Sequence, residues 1–443
     1  MPTLDDLDRR LGCPTVGSIK NGCSIILIPQ GRAVLKDWLQ TALNKFHRMG
    51  RSRQHPWPLV AIALLCGGFL LPLSGCRLPQ VSAEDRLFLP VQVDLLDVAT
   101  LPQQTFADTP VGGLSALAYD RQRDMFYALS DDRGNLAPPR FYTLDIEPDF
   151  TDPAAPTIAS VTVTAVTTLK DGEGNEYERD RLDPEGLVLS PRQTLLIASE
   201  GVAASQSPPA LNEYDLETGG LKTAFRLPER FIPAAATEQT GTAIGVRNNL
   251  GFEALTLGPT SSAGEFEPFR VFMGTESALA QDYDADPANP LVSRFLHYLL
   301  GPNQSTLIAE YAYPLELEPL GAVVNGLTEL VAIDQGGHFL ALERVYGIRG
   351  FEVKLFQLAT GGATDVSTST NLPPLENISP IQKQLVLDFS TLDLPVATID
   401  NLEGMTLGPP LPDGSTSLWL LSDDNFDDDQ TTQVWLFRLA IAR

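Results

Sequence analysis

Five short segments place an acidic or hydroxyl residue in the same apolar setting. They are Gly113-Leu114-Ser115-Ala116-Leu117-Ala118, Asp183-Pro184-Glu185-Gly186-Leu187-Val188, Gly251-Phe252-Glu253-Ala254-Leu255-Thr256, Gly326-Leu327-Thr328-Glu329-Leu330-Val331 and Asn401-Leu402-Glu403-Gly404-Met405-Thr406. A second aliphatic run follows each one and ends in acid. Phe126–Ser130 precedes Asp131-Asp132, Leu195–Ser199 precedes Glu200, and Val271–Thr275 precedes Glu276. Phe339–Leu342 precedes Glu343-Arg344, and Leu418–Ser422 precedes Asp423-Asp424. If Glu185, Glu253 and Glu403 converge, with Ser115 and Thr328 between them, they cannot all stay ionised unless some are protonated or a cation lies among them. Ca²⁺ takes about six to eight oxygen ligands and suits such a set. The expected ligands are Glu185, Glu253, Glu403, Asp131, Asp132, Glu200, Glu276, Asp423 and Asp424, with Glu343 on the same rim. The matching chemistry is metal-assisted hydrolysis, in which the cation polarises an ester and a rim carboxylate acts as general base. Arg133 and Arg344 offer the positive charge that a phosphoryl or carboxylate group needs. The predicted catalytic residues are Glu185, Glu253, Glu403 and Arg344. A purely structural reading stands beside this one: acids at strand ends also cap turns and bond the amides of a neighbouring unit.

Absences narrow the reaction. Leu117 stands where a Gly-x-Ser-x-Gly elbow built on Ser115 would need its second glycine. His297 and His338 are the only histidines after residue 55. A Ser/His triad and a multi-histidine transition-metal site are therefore not expected. There is no P-loop and no dinucleotide-binding glycine pattern. Asp282, Asp284 and Asp286 alternate like the front of an EF-hand loop, but Pro287 and Ser293 occupy the places of its glycine and glutamate, which rejects an EF-hand and leaves at most a loose Ca²⁺ contact. The acidic run 171–176 reads as an exposed turn, and 423–429 as a solvated loop or a cation site.

The elements that must position these residues follow from periodicity. From the first marked residue to the second acid the spacing is 16, 15, 23, 15 and 20. Hairpin loops vary in this way while their strands do not. Arg140–Ile146, Leu211–Leu216, Ser293–Leu300, Phe351–Leu358 and Thr432–Leu439 show the period-two alternation of half-buried strands. Four short strands repeated roughly every 70–80 residues predict an all-β fold, a β-propeller of five blades. The irregular stretch 366–390 leaves room for a degenerate sixth. The fifth unit has only three strands before Arg443, while Val91–Val98 is unclaimed. The N- and C-terminal strands are therefore expected to pair and close the ring, removing exposed sheet edges.

The N-terminal region reads differently. Leu59–Leu73 is a 15-residue apolar run that leads into Leu73-Ser74-Gly75-Cys76, and Arg48, Arg51 and Arg53 precede it. It suits the h-region of a signal peptide and is too short to span a bilayer. Small residues before the cysteine resemble a bacterial lipobox, which implies lipidation of Cys76 and removal of what lies upstream. The division is 1–48 as an extension before the true start at Met49, 49–75 as lipoprotein signal peptide, 76–90 as lipidated cysteine and tether, and 91–443 as propeller. After Cys76 there is no cysteine, so the body relies on its core rather than on disulfides. Loss of residues 1–75 removes nine of 31 Lys/Arg and four of 56 Asp/Glu, leaving 22 basic and 52 acidic residues over 368. Such a field repels nucleic acid and favours cations.

The segments around Asp183–Leu187, Asn249–Thr256 and Asn401–Met405 resemble the bacterial phytase-like family, described as having esterase-like activity. The resemblance spans roughly residues 90–440. It implies a propeller and a phosphoesterase that binds Ca²⁺ at a carboxylate-rich face. Ser115 and Thr328 replace Glu in two units, so the carboxylate ring departs from the pattern there. The sequence thus leads to a lipid-anchored, Ca²⁺-dependent hydrolase of phosphate or carboxylate esters, on the periplasmic side of the inner or outer membrane. The alternative is a non-catalytic propeller that binds a protein or ligand partner at the cell envelope.

Overall fold

The structure is a computed structural model and describes residues 87–442, except 203–204, 237–242, 260–266, 303, 318, 320, 395 and 397. The expected extension, signal peptide and lipidation site at Cys76, with most of the expected tether, lie outside the described residues. Among those described, no helix is long and apolar enough to cross a membrane.

The chain opens with β1 (Val91–Leu101) and a small hairpin of β2 (Gln104–Phe106) and β3 (Thr109–Val111). Five four-stranded antiparallel sheets account for the rest. Blade one is β4 (Leu114–Asp120), β5 (Met125–Ser130), β6 (Arg140–Asp149) and β7 (Thr157–Thr168). Blade two is β8 (Pro184–Leu189), β9 (Thr194–Ser199), β10 (Ala210–Asp215) and β11 (Leu221–Phe225). Blade three is β12 (Phe252–Leu257), β13 (Phe269–Thr275), β14 (Val292–Gly301) and β15 (Gln304–Pro314). Blade four is β16 (Ala322–Ala332), β17 (His338–Gly347), β18 (Gly350–Ala359) and β19 (Gln382–Asp388). Blade five is β20 (Asn401–Pro410), β21 (Thr416–Asp423) and β22 (Thr432–Ile441), completed by β1.

β1 pairs antiparallel with β22 from Val91↔Ile441 to Leu101↔Thr432, so the ring is closed as expected. The first strands form its inner wall: β4 packs on β8, β8 on β12, β12 on β16, β16 on β20, and β20 back on β4. Five blades make the ring, and the stretch 366–390 is no sixth. It supplies β19 after a detour onto the edge of blade three, where Val366 N donates to Glu310 O at 2.8 Å and Ile381 N to Ala312 O at 3.0 Å. Arg294 pins the detour: Nη2 donates to Thr370 O at 3.0 Å, while Nε and Nη1 bond Asp282 and Glu310 at 2.7 and 2.5 Å.

Hydrophobic burial lies between blades rather than inside them. Each of five apolar clusters joins two neighbours, as where Ala116, Leu129 and Phe141 of blade one meet Leu187, Leu195 and Ile197 of blade two. The seam of blades four and five holds Trp435, Phe437, Leu340 and Leu355. Each blade thus has two apolar faces, which is why the second strands read as unbroken aliphatic runs.

The inner strands share an irregularity. Register shifts fall between Leu114 and Ala116, Pro184 and Gly186, Phe252 and Leu255, Leu327 and Glu329, and Leu402 and Gly404. Each is a β-bulge at or beside the marked residue, Ser115, Glu185, Glu253, Thr328 or Glu403. A bulge leaves one residue outside the ladder and re-aims its side chain. The fold thus uses one local device five times around a common axis.

Candidate functional site

The residue that follows the ladder partner of each pre-bulge residue, on the second strand, defines a second tier. Leu114 pairs with Ser130, Pro184 with Ser199, Phe252 with Thr275, Leu327 with Glu343 and Leu402 with Ser422. The next residues are Asp131, Glu200, Glu276, Arg344 and Asp423. Blade four therefore contributes an arginine where the other blades contribute acids. Glu343 instead accepts from Tyr313 Oη at 2.5 Å and Glu316 N at 3.0 Å, and it holds Lys383 Nζ at 2.5 Å.

A cavity of about 600 Å³ opens over this double ring, with Asp131, Asp183, Glu185, Glu253, Glu403, Asp423, Arg133 and Arg344 in its wall. Two acid groups have ligand atoms within 4.8 Å of one another: Asp183, Glu185 and Glu200, and Glu200, Glu253 and Glu276. Glu200 belongs to both. Glu200 is 2% exposed and Glu276 1%. Glu200 Oε1 accepts from Gly251 N at 2.6 Å, which caps the strand of the next blade. Glu200 Oε2, Glu253 Oε2 and Glu276 Oε1 are buried and meet no N–H or hydroxyl donor; Arg344 Nη2 lies 3.7 Å from Glu276 Oε1, and the Glu253 and Glu276 carboxyls are close enough to share a proton. No hydrogen bond reaches the Asp131 or Glu185 carboxyl among the described residues.

Burial raises the pKa of these acids, and their neighbours add to it. Asp131 is pushed well up by burial and then by Glu403, Asp183, Asp132 and Asp424. Glu185 is raised by burial and by Asp131, Asp183, Glu200 and Glu253. Glu200, Glu253 and Asp423 are raised in the same way. Asp183 is pushed to about 7 by burial, against the pull of Arg133, and Glu276 to about 7, against Arg344. Glu403 rises less, because Arg344 Nη2 at 2.6 Å and Asn401 Nδ2 at 2.8 Å oppose its burial. Burial works against the Arg344 cation, yet Glu403, Glu276, Glu253 and Asp423 outweigh it and hold the charge firmly. A pocket of crowded, dry carboxyls with unfilled oxygens holds either protons or hard cations.

Two of the expected ligands serve the loops instead. Asp132 accepts from the amides of Asn135, Leu136 and Ala137 and pairs with buried Arg140 at 2.9 Å. Those bonds outweigh its burial and lower its pKa. Asp424 Oδ1 accepts from Gly113 N at 2.8 Å and Phe426 N at 3.1 Å, and Oδ2 from Thr432 Oγ1, stitching blade five to blade one. Ser115 Oγ donates to Glu185 O at 3.1 Å and Thr328 Oγ1 to Leu342 O at 3.3 Å, so both hydroxyls bond backbone. Asp183 and Asn401 belong to the site and were not expected there. Their signal was the position two residues before the marked one, glycine in the other three units. His297 stacks on Phe272 at 4.4 Å in a separate cavity between blades three and four.

Among solved structures the chain is similar in overall arrangement to the Dos1 propeller, at 10% identity and TM-score 0.29, covering 74% of this chain and 68% of that one. It is also similar to the catalytic domain of the Coprinopsis cinerea GH62 α-L-arabinofuranosidase, at 10% identity and TM-score 0.39, covering 80% and 97%. The N-terminal domain of Nup159 follows at 11% and 0.29, covering 79% and 95%. Likenesses this distant carry no argument about the site. No curated protein matches by sequence. The phytase-like family, described as "Esterase-like activity of phytase", matches residues 109–426, and the chain belongs to it.

Proposed function

We propose that the protein is a metal-dependent hydrolase of phosphate or carboxylate esters that works at the axial cavity and is held at the cell envelope by a lipid on Cys76. The observation that carries the catalytic part is the group Glu200, Glu253 and Glu276: each has a buried oxygen that meets no donor, and one carboxylate oxygen from each lies within 4.8 Å of the others. Every donor is oxygen, which suits Ca²⁺ over a softer metal. Glu200, Glu253 and Glu276 would hold the ion, and Asp183 and Glu185 a second one through the shared Glu200. Bound there, Ca²⁺ would supply Lewis-acid polarisation of an ester oxygen.

The chain's own groups do the rest. Asp131 lines the cavity with a carboxyl free of hydrogen bonds and is the general base: it takes a proton from the attacking water and returns it to the leaving alkoxide. Glu403 and Asn401 hold the guanidinium of Arg344 in place. Its Nε is buried without a partner and is the donor for charge that develops on the ester oxygen.

The test is turnover of p-nitrophenyl phosphate and p-nitrophenyl acetate by the full chain, with Ca²⁺ and with EGTA. Activity should require Ca²⁺ and fall at least about tenfold in Glu253→Gln and in Glu276→Gln. Turnover indifferent to EGTA and to both variants refutes the reading.

A further inference from the structure

The cavity over the acids is not polar throughout. Blade four lines it with Val324, Tyr346 and Phe351, and Leu136 and Phe426 add to the wall. Tyr346 and Phe351 are cross-strand partners on the β17–β18 hairpin, with ring centroids 4.8 Å apart and planes 40° to each other. Tyr346 is 43% exposed, which leaves much of an aromatic face in water. Aromatic side chains that surround a few polar groups are the usual furniture of a small-molecule site, and the cavity has the volume for one.

Phe426 is held at the wall against conformational preference. It and Asn425 both have positive φ, 53° and 48°. Two successive non-glycine residues in the left-handed region are costly and persist only where surroundings impose them. Here Asp423 Oδ1 accepts from Asn425 N at 2.8 Å and Asp424 Oδ1 from Phe426 N at 3.1 Å. The ring lies over Gly112 and Gly113, where any Cβ would strike it.

The cations around the cavity are already engaged. Arg344 is paired with Glu403, and Arg133 lies 3.5 Å from Asp183 and 4.0 Å from Asp180. A ligand that brought many negative charges would meet more carboxyls than a pair of divalent ions can offset.

We infer that the site takes an ester with one compact oxyanion head and an apolar, aryl-sized arm, and discriminates against polyanions such as inositol hexakisphosphate. The head group rests on the hydrolase reading above, while the arm rests on the wall of Val324, Tyr346, Phe351 and Phe426. The head lies among the acids and their ion, and the arm lies along the Tyr346–Phe351 pair.

Non-hydrolysable probes test this on the full chain with excess Ca²⁺. Calorimetric titrations would compare 1-naphthylphosphonate, methylphosphonate and inositol hexakisphosphate. The naphthyl probe should bind at least about tenfold tighter than the methyl one, a difference of about 1.4 kcal/mol. Tyr346→Ala with Phe351→Ala should bring that ratio close to one and leave methylphosphonate binding unchanged, which also shows that the variant has folded. Ile348→Ala, on the same hairpin but outside the cavity and 84% exposed, should leave the ratio intact. Equal affinities for the two phosphonates in the wild type overturn the inference. So does a ratio that survives the double substitution, tightest binding of the hexakisphosphate, or no binding of either phosphonate. Ester turnover in the same preparation separates the two ideas: a ratio that holds without turnover sinks the hydrolase and keeps the ligand class, and turnover without the ratio does the reverse.

Discussion

Chelating divalent ions and raising the pH should weaken the fold, and the amount can be worked out. Asp183 goes from 3.8 to about 7 on folding, and Glu276 from 4.5 to about 7. A carboxyl whose pKa is raised by folding binds more protons in the native state than in the unfolded chain. Its protonation therefore stabilises the fold below the folded pKa, and that help is lost as pH rises through it. His297 works the other way: burial lowers it to about 4, so its contribution grows with pH until its ordinary value of 6.5 is passed. The useful window is thus between about pH 6.5 and about pH 8, over which the unfolded His297 sheds only the last half of its charge and offsets well under ~1 kcal/mol. Across it, Asp183 and Glu276 together should cost on the order of 1 kcal/mol net of His297, and the acids pushed higher still add to that. For a domain of this size a loss on the order of 1 kcal/mol is a melting point lower by about 1–2 °C. The assay is thermal melting followed by circular dichroism, in EGTA and in Ca²⁺. In EGTA the melting temperature should fall by at least that much, and Ca²⁺ should raise and flatten the curve, because ion binding displaces the same protons. A melting temperature in EGTA that holds steady or climbs over this window would refute the argument that these carboxyls are crowded and dry.

Other substitutions probe single contacts. Gly326→Ala places a methyl group on the Glu276 side chain and should cost about 1–3 kcal/mol by urea titration, with weakened Ca²⁺ binding. Asp424→Ala uncaps Gly113 and Phe426 across the seam of blades five and one; it should cost about 1–3 kcal/mol and leave Ca²⁺ affinity unchanged, as calorimetry would show. Cys76→Ala should abolish lipid labelling and membrane association in cell fractionation, and unchanged fractionation would count against the lipobox.

Much of the architecture was legible because alternation and turn spacing are local signals. The five hairpins, their third strands and the pairing of Val91–Val98 with the last strand all follow from periodicity. The count of five needed the coordinates, since 366–390 leaves blade four, bonds blade three and returns, and no local pattern records a detour. Within the site, the bulged positions were marked by residue type, but the bulges were not, because skipping one ladder partner leaves no trace in composition. That slip explains Glu343 and Arg344. Counting from the end of the aliphatic run selects the glutamate, whereas the ladder pairs Leu327 with Glu343 and advances Arg344 into the ring. Asp132 and Asp424 look like their neighbours in sequence, and only the amides around them reveal a capping role.

The pairing of β1 with β22 also sets an order of events during synthesis. The propeller strand made first waits at the outer edge of the last blade for a partner 350 residues later, Val91 against Ile441, so the circle stays open until the fifth blade has been made. Contacts this distant along the chain are slow to form. Glu403 and Asp423 arrive with that final blade, so mutual repulsion among the axial acids reaches full strength only as the ring locks. Until then the gap between the first and fifth blades is an open door, through which an ion could reach its seat before the wall is complete.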